Sequence, residues 1–238
     1  MPRPYIIYHM TTTMDGKITG SFLEQEAVQP VTDFYFQCHR NFRTNGFLCG
    51  RVTMQESFTG PDAPDLSAFS SCKFPREDFV ACADAPFYAI ALDPRGKLNW
   101  SDSRLHDEDP GYDGAHIVEI LCESVSDAYL AFLRDRGISY LFAGTDAVDL
   151  PLAMEKLTTL FSMDSLLLEG GGITALGFAR ADLIDEVSFL MAPTTGEPGT
   201  MGLFGPDDEN VPFAPEFAHR QVLAAPGGAL WVRQWRDR

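Results

Sequence analysis

Apolar segments of β-type composition alternate with helical segments along most of this chain, and this alternation constrains its fold more than any other feature. Helices are predicted over 31–43, with Thr32 or Asp33 as the N-cap, and over 125–136, 149–162 and about 173–181. Strands are predicted over 5–10, 47–50, 87–92, 115–120, 139–143 and 165–169. Such alternation builds βαβ units, whose strands pair in parallel.

The C-terminal part departs from this pattern, because three predicted strands follow one another without a helix between them. They cover 183–191, about 217–225 and about 228–235, and a hairpin-type connection at 225–228 joins the last two. We therefore predict an α/β fold with a mostly parallel central sheet, helices on both faces and an antiparallel C-terminal edge.

The chain has 238 residues, and it shows no internal repeat or linker, so a single domain over 1–238 is predicted. Residues 57–86 are rich in Gly, Pro and Ser and are interpreted as a long insertion loop or lid. The acidic run 207–209 is interpreted as a solvated loop.

Charge and cysteine content exclude several classes of protein. The net charge of −16 disfavours binding to nucleic acid or to an anionic membrane. No stretch approaches the roughly 18–20 apolar residues of a membrane span. The 5 cysteines are an odd number without CxxC spacing, which favours reduced thiols and a cytoplasmic protein. The histidines show no paired spacing with an acidic partner, so no metal site is predicted.

The most informative segment for function is 166–174, where an apolar strand ends in Glu169 and three glycines before a helix. Without Cβ atoms the backbone can approach a phosphate closely, and the free N–H groups of a helix start point at it. A tight turn that needs positive φ is the alternative, but three consecutive glycines exceed that need. Anion binding is therefore favoured.

Two further segments carry polar groups at predicted strand ends. In 47–53 a predicted strand is followed by Gly50 and a predicted helix start, where Arg51 and Thr53 could hold a phosphomonoester. Taken alone, a simple glycine turn explains that segment equally well. Two strand–glycine–helix junctions in one sheet shift the balance toward phosphate binding, because nucleotides lie across the carboxyl ends of such strands. In 10–18 three threonines precede Asp15 and a glycine, and a common turn is the favoured interpretation from the residues alone.

The order of these motifs is specific. Met-Thr-Thr-Thr-Met-Asp-Gly-Lys-Ile at 10–18, Gly-Arg-Val-Thr at 50–53 and Leu-Leu-Leu-Glu-Gly-Gly-Gly at 166–172 precede the segments 181–187 and 191–193. The chain resembles the reductase domain of riboflavin biosynthesis, the C-terminal half of the bacterial bifunctional deaminase-reductase. The resemblance covers nearly the whole chain and implies a dihydrofolate-reductase-like fold.

The resemblance further implies an NADPH-dependent oxidoreductase that passes hydride to C1′ of a ribosylamino-pyrimidine phosphate, and it implies a homodimer. Glu169 matches a family position that faces substrate, and Asp15, in the shared first-strand motif, is expected to bind and position substrate or to orient the loop. No covalent nucleophile is expected, so no catalytic residue is assigned. His39, on the first predicted helix, is placed where it can face the cleft. The implied cofactor-binding residues are Thr11, Gly50, Arg51, Thr53, Gly170, Gly171, Gly172, Ile173 and Thr174.

Departures from the family pattern leave the substrate open. Residues 43–46 and 54–58 differ from the Arg-Ala-x-x-Asp and Asp-Asn-Pro stretches that many members carry. The zinc deaminase signatures HxE and PCxxC are absent from the sequence. The alternatives are a paralogous reductase with another substrate, such as a dihydropterin, a nucleotide-binding sensor without turnover, and a protein that uses the fold for assembly only. Arg51 and Arg95 favour NADPH over NADH.

Overall fold

The structure is a computed structural model that describes residues 2–206 and 216–237. By its internal contacts the chain separates into two compact units. Unit 1 comprises Thr44–Leu166 together with residues 2–4, and unit 2 comprises Tyr5–Arg43 together with the described residues from Leu167 onward. The single-domain interpretation stays a prediction. The acidic run 207–209 lies outside the described residues.

Unit 1 contains four parallel strands in the order β5-β4-β3-β2. The strands are β2 (Gly46–Gly50), β3 (Tyr88–Leu92), β4 (His116–Leu121) and β5 (Ser139–Phe142). Its helices are α2 (Arg51–Met54), α3 (Asp127–Asp135) and α4 (Leu150–Phe161). Because these strands are almost entirely buried, their sequences read as continuous apolar runs rather than as alternating ones.

Unit 2 holds β1 (Tyr5–Thr12), which pairs in parallel with β7 (Glu186–Met191). The C-terminal strands β8 (His219–Ala224) and β9 (Leu230–Trp235) form an antiparallel hairpin, and β9 pairs antiparallel with β7. The strand β6 (Ser165–Leu168) includes the boundary between the units. The helices of unit 2 are α1 (Gln29–Phe42) and α5 (Gly172–Arg180).

These pairings confirm the predicted mostly parallel α/β architecture and its antiparallel C-terminal edge. The N-cap prediction for α1 is wrong, because the helix begins at Gln29 and its N-cap Val28 offers no side-chain hydrogen bond. Pro30 lies in the first turn, where a missing N–H costs nothing. The predicted caps Thr32 and Asp33 therefore lie inside the helix.

The segment 57–86 is largely irregular, as predicted, apart from two short helical turns at Gln55–Thr59 and Ser67–Phe69. Its second half is held within unit 1. The Arg76 guanidinium pairs with Asp127 of α3 at 2.6 Å, and Phe79 exchanges two backbone hydrogen bonds with Tyr140 of β5. Whether this segment also acts as a lid stays a prediction.

In the described part of the chain, none of the helices combines the length and the apolarity of a membrane span.

Candidate functional site

The junction between β6 and α5 has the local geometry that the glycine triplet predicts. Leu166–Leu168 of β6 are buried, and the strand stops before Glu169. Gly171 is the N-cap of α5 with φ of 76°, a left-handed conformation that suits glycine, and the cap makes no side-chain hydrogen bond. The first turn of α5 therefore starts without a side-chain cap on its amides, beside the exposed Ile173 and the half-buried Thr174.

Gly172 is required by close packing rather than by its backbone conformation. A Cβ at this position would collide with the carbonyl oxygen of Gly202 and would lie 2.8 Å from the amide nitrogen of Gly205. Two of the three glycines thus have a structural reason of their own, a positive φ at Gly171 and a close backbone approach at Gly172. These structural reasons weaken the argument that three consecutive glycines indicate anion binding. The remaining support for an anion site is the start of α5, where the N-cap Gly171 has no side chain to cap the first-turn amides.

The loop after β1 is joined to the segment after β7 within unit 2. The amide of Met14 donates to the Thr194 carbonyl at 2.9 Å, and the amide of Ile18 donates to the Met201 carbonyl at 2.9 Å. These backbone bonds connect the strand ends to the segment 201–205 that packs on Gly172.

Asp15 organises this loop. Its Oδ1 accepts the Thr13 hydroxyl at 2.6 Å and the amide of Gly196 at 2.8 Å. Because these hydrogen bonds favour the charged form, the Thr13 hydroxyl first and the Gly196 amide second, the pKa of Asp15 lies below its ordinary value. Gly16 follows with φ of 78°, which confirms the turn. The substrate-binding role of Asp15 stays a prediction.

A buried acid–base pair lies at the end of β6. Nδ1 of His39, in the last turn of α1, is 2.8 Å from Oε1 and 3.0 Å from Oε2 of Glu169. The two side chains are only 1% and 2% exposed. A carboxylate can only accept hydrogen bonds, so Nδ1 of His39 carries the proton. The predicted substrate contact of Glu169 stays a prediction.

A second buried imidazole lies beside this pair. The ring of His9 on β1 stacks on Tyr35 of α1, with centroids 4.4 Å apart and planes 3° apart. Its Nδ1 is 3.1 Å from the Ser188 hydroxyl, and its Nε2 is 3.2 Å from the Tyr35 carbonyl. Burial lowers the pKa of His9, against the opposing attraction of Glu169. His9 is therefore a neutral packing residue that fixes α1 against β1.

Thr11 is buried and lies two residues beyond His9 on the same face of β1. That is the face toward α1, and the position is close to the carboxyl end of the strand, where it pairs with Leu190 of β7. The predicted contact of Thr11 with a nicotinamide stays a prediction.

The predicted residues of the second strand–glycine–helix junction all lie in unit 1. Gly50 is the N-cap of α2 and makes no side-chain hydrogen bond. The Arg51 guanidinium donates to the Gln55 side chain one turn further on, and its charge acts on the nearby Asp93. Thr53 is half-buried. The cofactor contacts of Gly50, Arg51 and Thr53 stay predictions.

A further buried carboxyl group lies in the sheet of unit 1, and the sequence interpretation missed it. Glu119 on β4 is fully buried and accepts hydrogen bonds from the Trp100 indole and the Tyr129 hydroxyl at its Oε1. Its Oε2 and the Oδ1 of Asp93 have no hydrogen-bond partner among the described residues. Burial, and then the charge of Asp93, raise the pKa of Glu119 well above its ordinary value.

The pairing of His39 with Glu169 had no signal in the sequence beyond the position of His39 on the first helix, because 130 residues separate the two. In the part of the chain that the structure describes, no group of three or more His, Cys, Asp or Glu side chains could hold a metal ion.

Comparison with known proteins places these features in a family. Residues 111–222 match the model of the RibD C-terminal domain, a range that contains β6, Glu169 and the whole of α5. The family resemblance predicted from the motifs is thereby confirmed.

The RibD-type relatives extend the likeness over most of the chain. A 2,5-diamino-6-ribosylamino-4(3H)-pyrimidinone 5′-phosphate reductase of Methanothermobacter thermautotrophicus is 28% identical over 196 residues, which cover 80% of this chain and 78% of that protein.

Two solved structures show the same fold. A pyrimidine reductase-like protein of Corynebacterium diphtheriae matches with a TM-score of 0.68 at 17% identity, over 99% of this chain and 92% of that one. A deaminase and 5-amino-6-(5-phosphoribosylamino)uracil reductase of Thermotoga maritima matches with a TM-score of 0.62 at 17% identity, over 99% of this chain and 57% of that one. These likenesses confirm the predicted dihydrofolate-reductase-like fold.

Proposed function

We propose that this chain is an NADPH-dependent reductase that transfers hydride to a ribosylamino-pyrimidine 5′-phosphate in riboflavin biosynthesis. The observation that carries the proposal is the RibD C-terminal domain match over 111–222, which contains the start of α5, where the N-cap Gly171 has no side chain to cap the first-turn amides. The curated relative with 28% identity is named for the reduction of such a phosphate. We further propose that the protein is a cytoplasmic homodimer.

The residues of unit 2 fit a dinucleotide at the start of α5. Gly170 and Gly171 put no side chain over the helix start, and the first-turn amides next to Ile173 and Thr174 supply positive partial charge for a pyrophosphate. The bound cofactor would supply the hydride. Thr11, at the carboxyl end of β1, is the proposed neighbour of the nicotinamide.

Arg51 and Thr53 are proposed to contact the adenosine side of the cofactor. A guanidinium binds a phosphomonoester through two parallel hydrogen bonds, which a 2′-hydroxyl cannot reproduce. Since the protein carries a net charge of −16, a local cation is needed to hold a 2′-phosphate. Preference for NADPH over NADH therefore depends on Arg51.

On the substrate side, Glu169 and Asp15 are proposed to accept hydrogen bonds from sugar hydroxyls or from the amino groups of the pyrimidine. Neither carboxylate attacks the substrate. The reaction depends on holding the two reactants side by side in a site shielded from water.

The direct test follows the absorbance of reduced nicotinamide in the presence of two substrates, the 2,5-diamino-pyrimidinone phosphate and the deaminated aminouracil phosphate. We expect oxidation of NADPH with at least one of them. NADPH binding without turnover of either substrate, or of dihydrofolate, would contradict the proposal and favour a sensor. No NADPH binding would favour a protein that uses the fold for assembly only.

A matched pair of threonine variants tests the cofactor site by NADPH fluorescence. Thr174→Val removes a hydroxyl from the first turn of α5, and we expect the Kd for NADPH to rise about 3- to 10-fold, the loss of one hydrogen bond. Thr159→Val removes a hydroxyl that bonds to the Glu155 carbonyl on α4, and it should leave the Kd unchanged. Arg51→Ala should lower the ratio of kcat/KM for NADPH over NADH.

A further inference from the structure

In the buried pair at the end of β6, His39 donates and Glu169 accepts, and this arrangement suggests a role for His39. We propose that His39 is a positioning residue, which fixes the carboxylate of Glu169 so that it accepts hydrogen bonds from the hydroxyl or amino groups of the pyrimidine substrate. This inference rests on the proposed function, in which Glu169 contacts substrate.

The geometry fixes the plane of the carboxylate. Nδ1 of His39 lies at nearly equal distances from the two oxygens of Glu169, 2.8 Å and 3.0 Å. A donor shared by both oxygens opposes rotation about the last side-chain bond. A carboxylate has about four lone-pair sites, and an N–H shared between its two oxygens orients the group without enclosing it.

The histidine itself is held by rigid elements. It lies in the last turn of α1, and α1 is fixed to β1 by the stack of Tyr35 on His9. Position and orientation of the His39 ring are therefore set by helix packing, as a site residue on regular secondary structure requires.

The neighbouring His9 cannot take this role. Both of its ring nitrogens lie within hydrogen-bond distance of groups other than Glu169, namely the carbonyl and hydroxyl of Ser188 and the carbonyl of Tyr35. The pKa of His9 is lowered by burial, so it adds no positive charge beside the carboxylate. His39 is thus the imidazole that sets the orientation of Glu169.

Without His39 the carboxylate of Glu169 would be buried with one donor fewer. A buried carboxylate in that state turns toward other donors or takes up a proton, and either change removes an acceptor from the substrate. The start of α5 begins three residues later and has its own backbone geometry, so binding of the cofactor should be little affected.

The test uses four variants of the full chain. His39→Leu removes the donor, and His39→Asn keeps an N–H close to the position of Nδ1. Glu169→Gln removes the charge. The matched control is His116→Asn, since His116 is a buried histidine of β4 that bonds to the Ser139 hydroxyl at 2.9 Å and has no place in the proposed site.

We expect His39→Leu to raise KM for the pyrimidine phosphate about 10- to 100-fold, the value of a hydrogen bond to a charged group, with the Kd for NADPH within about twofold of wild type. His39→Asn should restore most of the loss, and His116→Asn should leave KM unchanged. If the pair of His39 and Glu169 were purely structural, His39→Leu and His39→Asn would both lower Tm without this selective rise in KM.

Three results would overturn the proposal: an unchanged KM in folded His39→Leu, a failure of His39→Asn to recover KM, or a rise in the NADPH Kd instead of KM. The last result would make the pair an anchor of the glycine turn. If His39→Leu does not fold, the double variant of His39→Asn and Glu169→Gln decides. Non-additive effects on KM support the proposal and additive effects refute it. Absence of turnover in the wild type refutes the proposed function instead.

Discussion

Two glutamates of this protein are buried almost equally deeply and have opposite surroundings. Glu169, at the end of β6, has the His39 imidazole against both carboxylate oxygens. Glu119, in the middle of β4, has only the neutral donors of Trp100 and Tyr129 on one oxygen and none on the other among the described residues. Burial alone therefore does not decide what a carboxyl group does in a protein; its neighbours do.

The difference follows the position of each residue along its strand. Glu119 pairs with Ala91 and Tyr140 inside the sheet of unit 1. Its Oε2 has no hydrogen-bond donor among the described residues. A proton on this oxygen removes the negative charge and turns the oxygen into a donor. Glu169 lies just beyond a strand end, where the ligands of open α/β sheets bind. Glu169, which has an imidazole partner, thus lies at the candidate site, whereas Glu119, whose pKa is raised, belongs to the core.

The largest effect should come from removing the acceptor in each unit. Glu169→Leu leaves the Nδ1–H of His39 buried without the carboxylate that accepts it, and we expect it to lower the free energy of unfolding by about 1.5–3 kcal/mol, the value of a hydrogen bond to a charged group. Glu119→Leu leaves the Trp100 indole N–H without an acceptor, whereas the Tyr129 hydroxyl keeps the Leu98 carbonyl at 2.9 Å, and the loss should be about 1 kcal/mol. Urea denaturation of both variants measures the two losses, and equal losses would contradict the comparison.

A smaller effect, which depends on pH, should appear at Glu119. Its folded pKa lies well above the ordinary 4.5, so the native state keeps a proton that the unfolded state releases. The stability from this proton is fully present below about pH 4.5 and is lost as the pH rises toward the folded pKa. Glu119→Gln cannot ionise, so its stability relative to wild type should increase from pH 5 upward, by as much as ~1.4 kcal/mol per pH unit.

The control for that measurement is Glu169→Gln, followed over the same pH range by thermal or urea unfolding. Asp93, whose pKa is also raised by burial, interacts with Glu119 through its charge, so the change in slope caused by Glu119→Gln belongs to the two carboxyl groups together. Parallel curves for wild type and Glu119→Gln would show that Glu119 is ionised in the folded protein, which would remove the contrast between the two glutamates.

The strands and helices could be predicted from the sequence because buried parallel strands are continuous apolar runs. Where prediction failed, tertiary pairing overrode local composition. The first strand continues through Thr11 and Thr12, since both pair with β7, although polar residues indicate a strand end. The strand predicted from Leu183 begins only at Glu186, after Asp182 takes a positive φ of 53°.

The site could be predicted only in part, for a related reason. Short motifs located the glycine turn and the Asp15 turn, because each depends on the conformation of a few adjacent residues. The reason for a glycine at 172 lies in the backbone at 202–205, and the partner of Glu169 lies on a helix far away in sequence. Contacts of this kind exist only once the chain has folded.

The smallest expected effect sharpens the description of Glu119. The Tyr129 hydroxyl is 2.9 Å from the Leu98 carbonyl and 3.0 Å from Oε1 of Glu119, and a hydroxyl has one hydrogen to donate. Tyr129→Phe should therefore cost about 0.5–1.5 kcal/mol, measured by urea denaturation near pH 5. Because the Trp100 indole and the desolvation of Glu119 remain, the pH slope of the variant should match wild type. A flattened slope would mean that the hydroxyl, rather than burial, keeps the proton on Glu119.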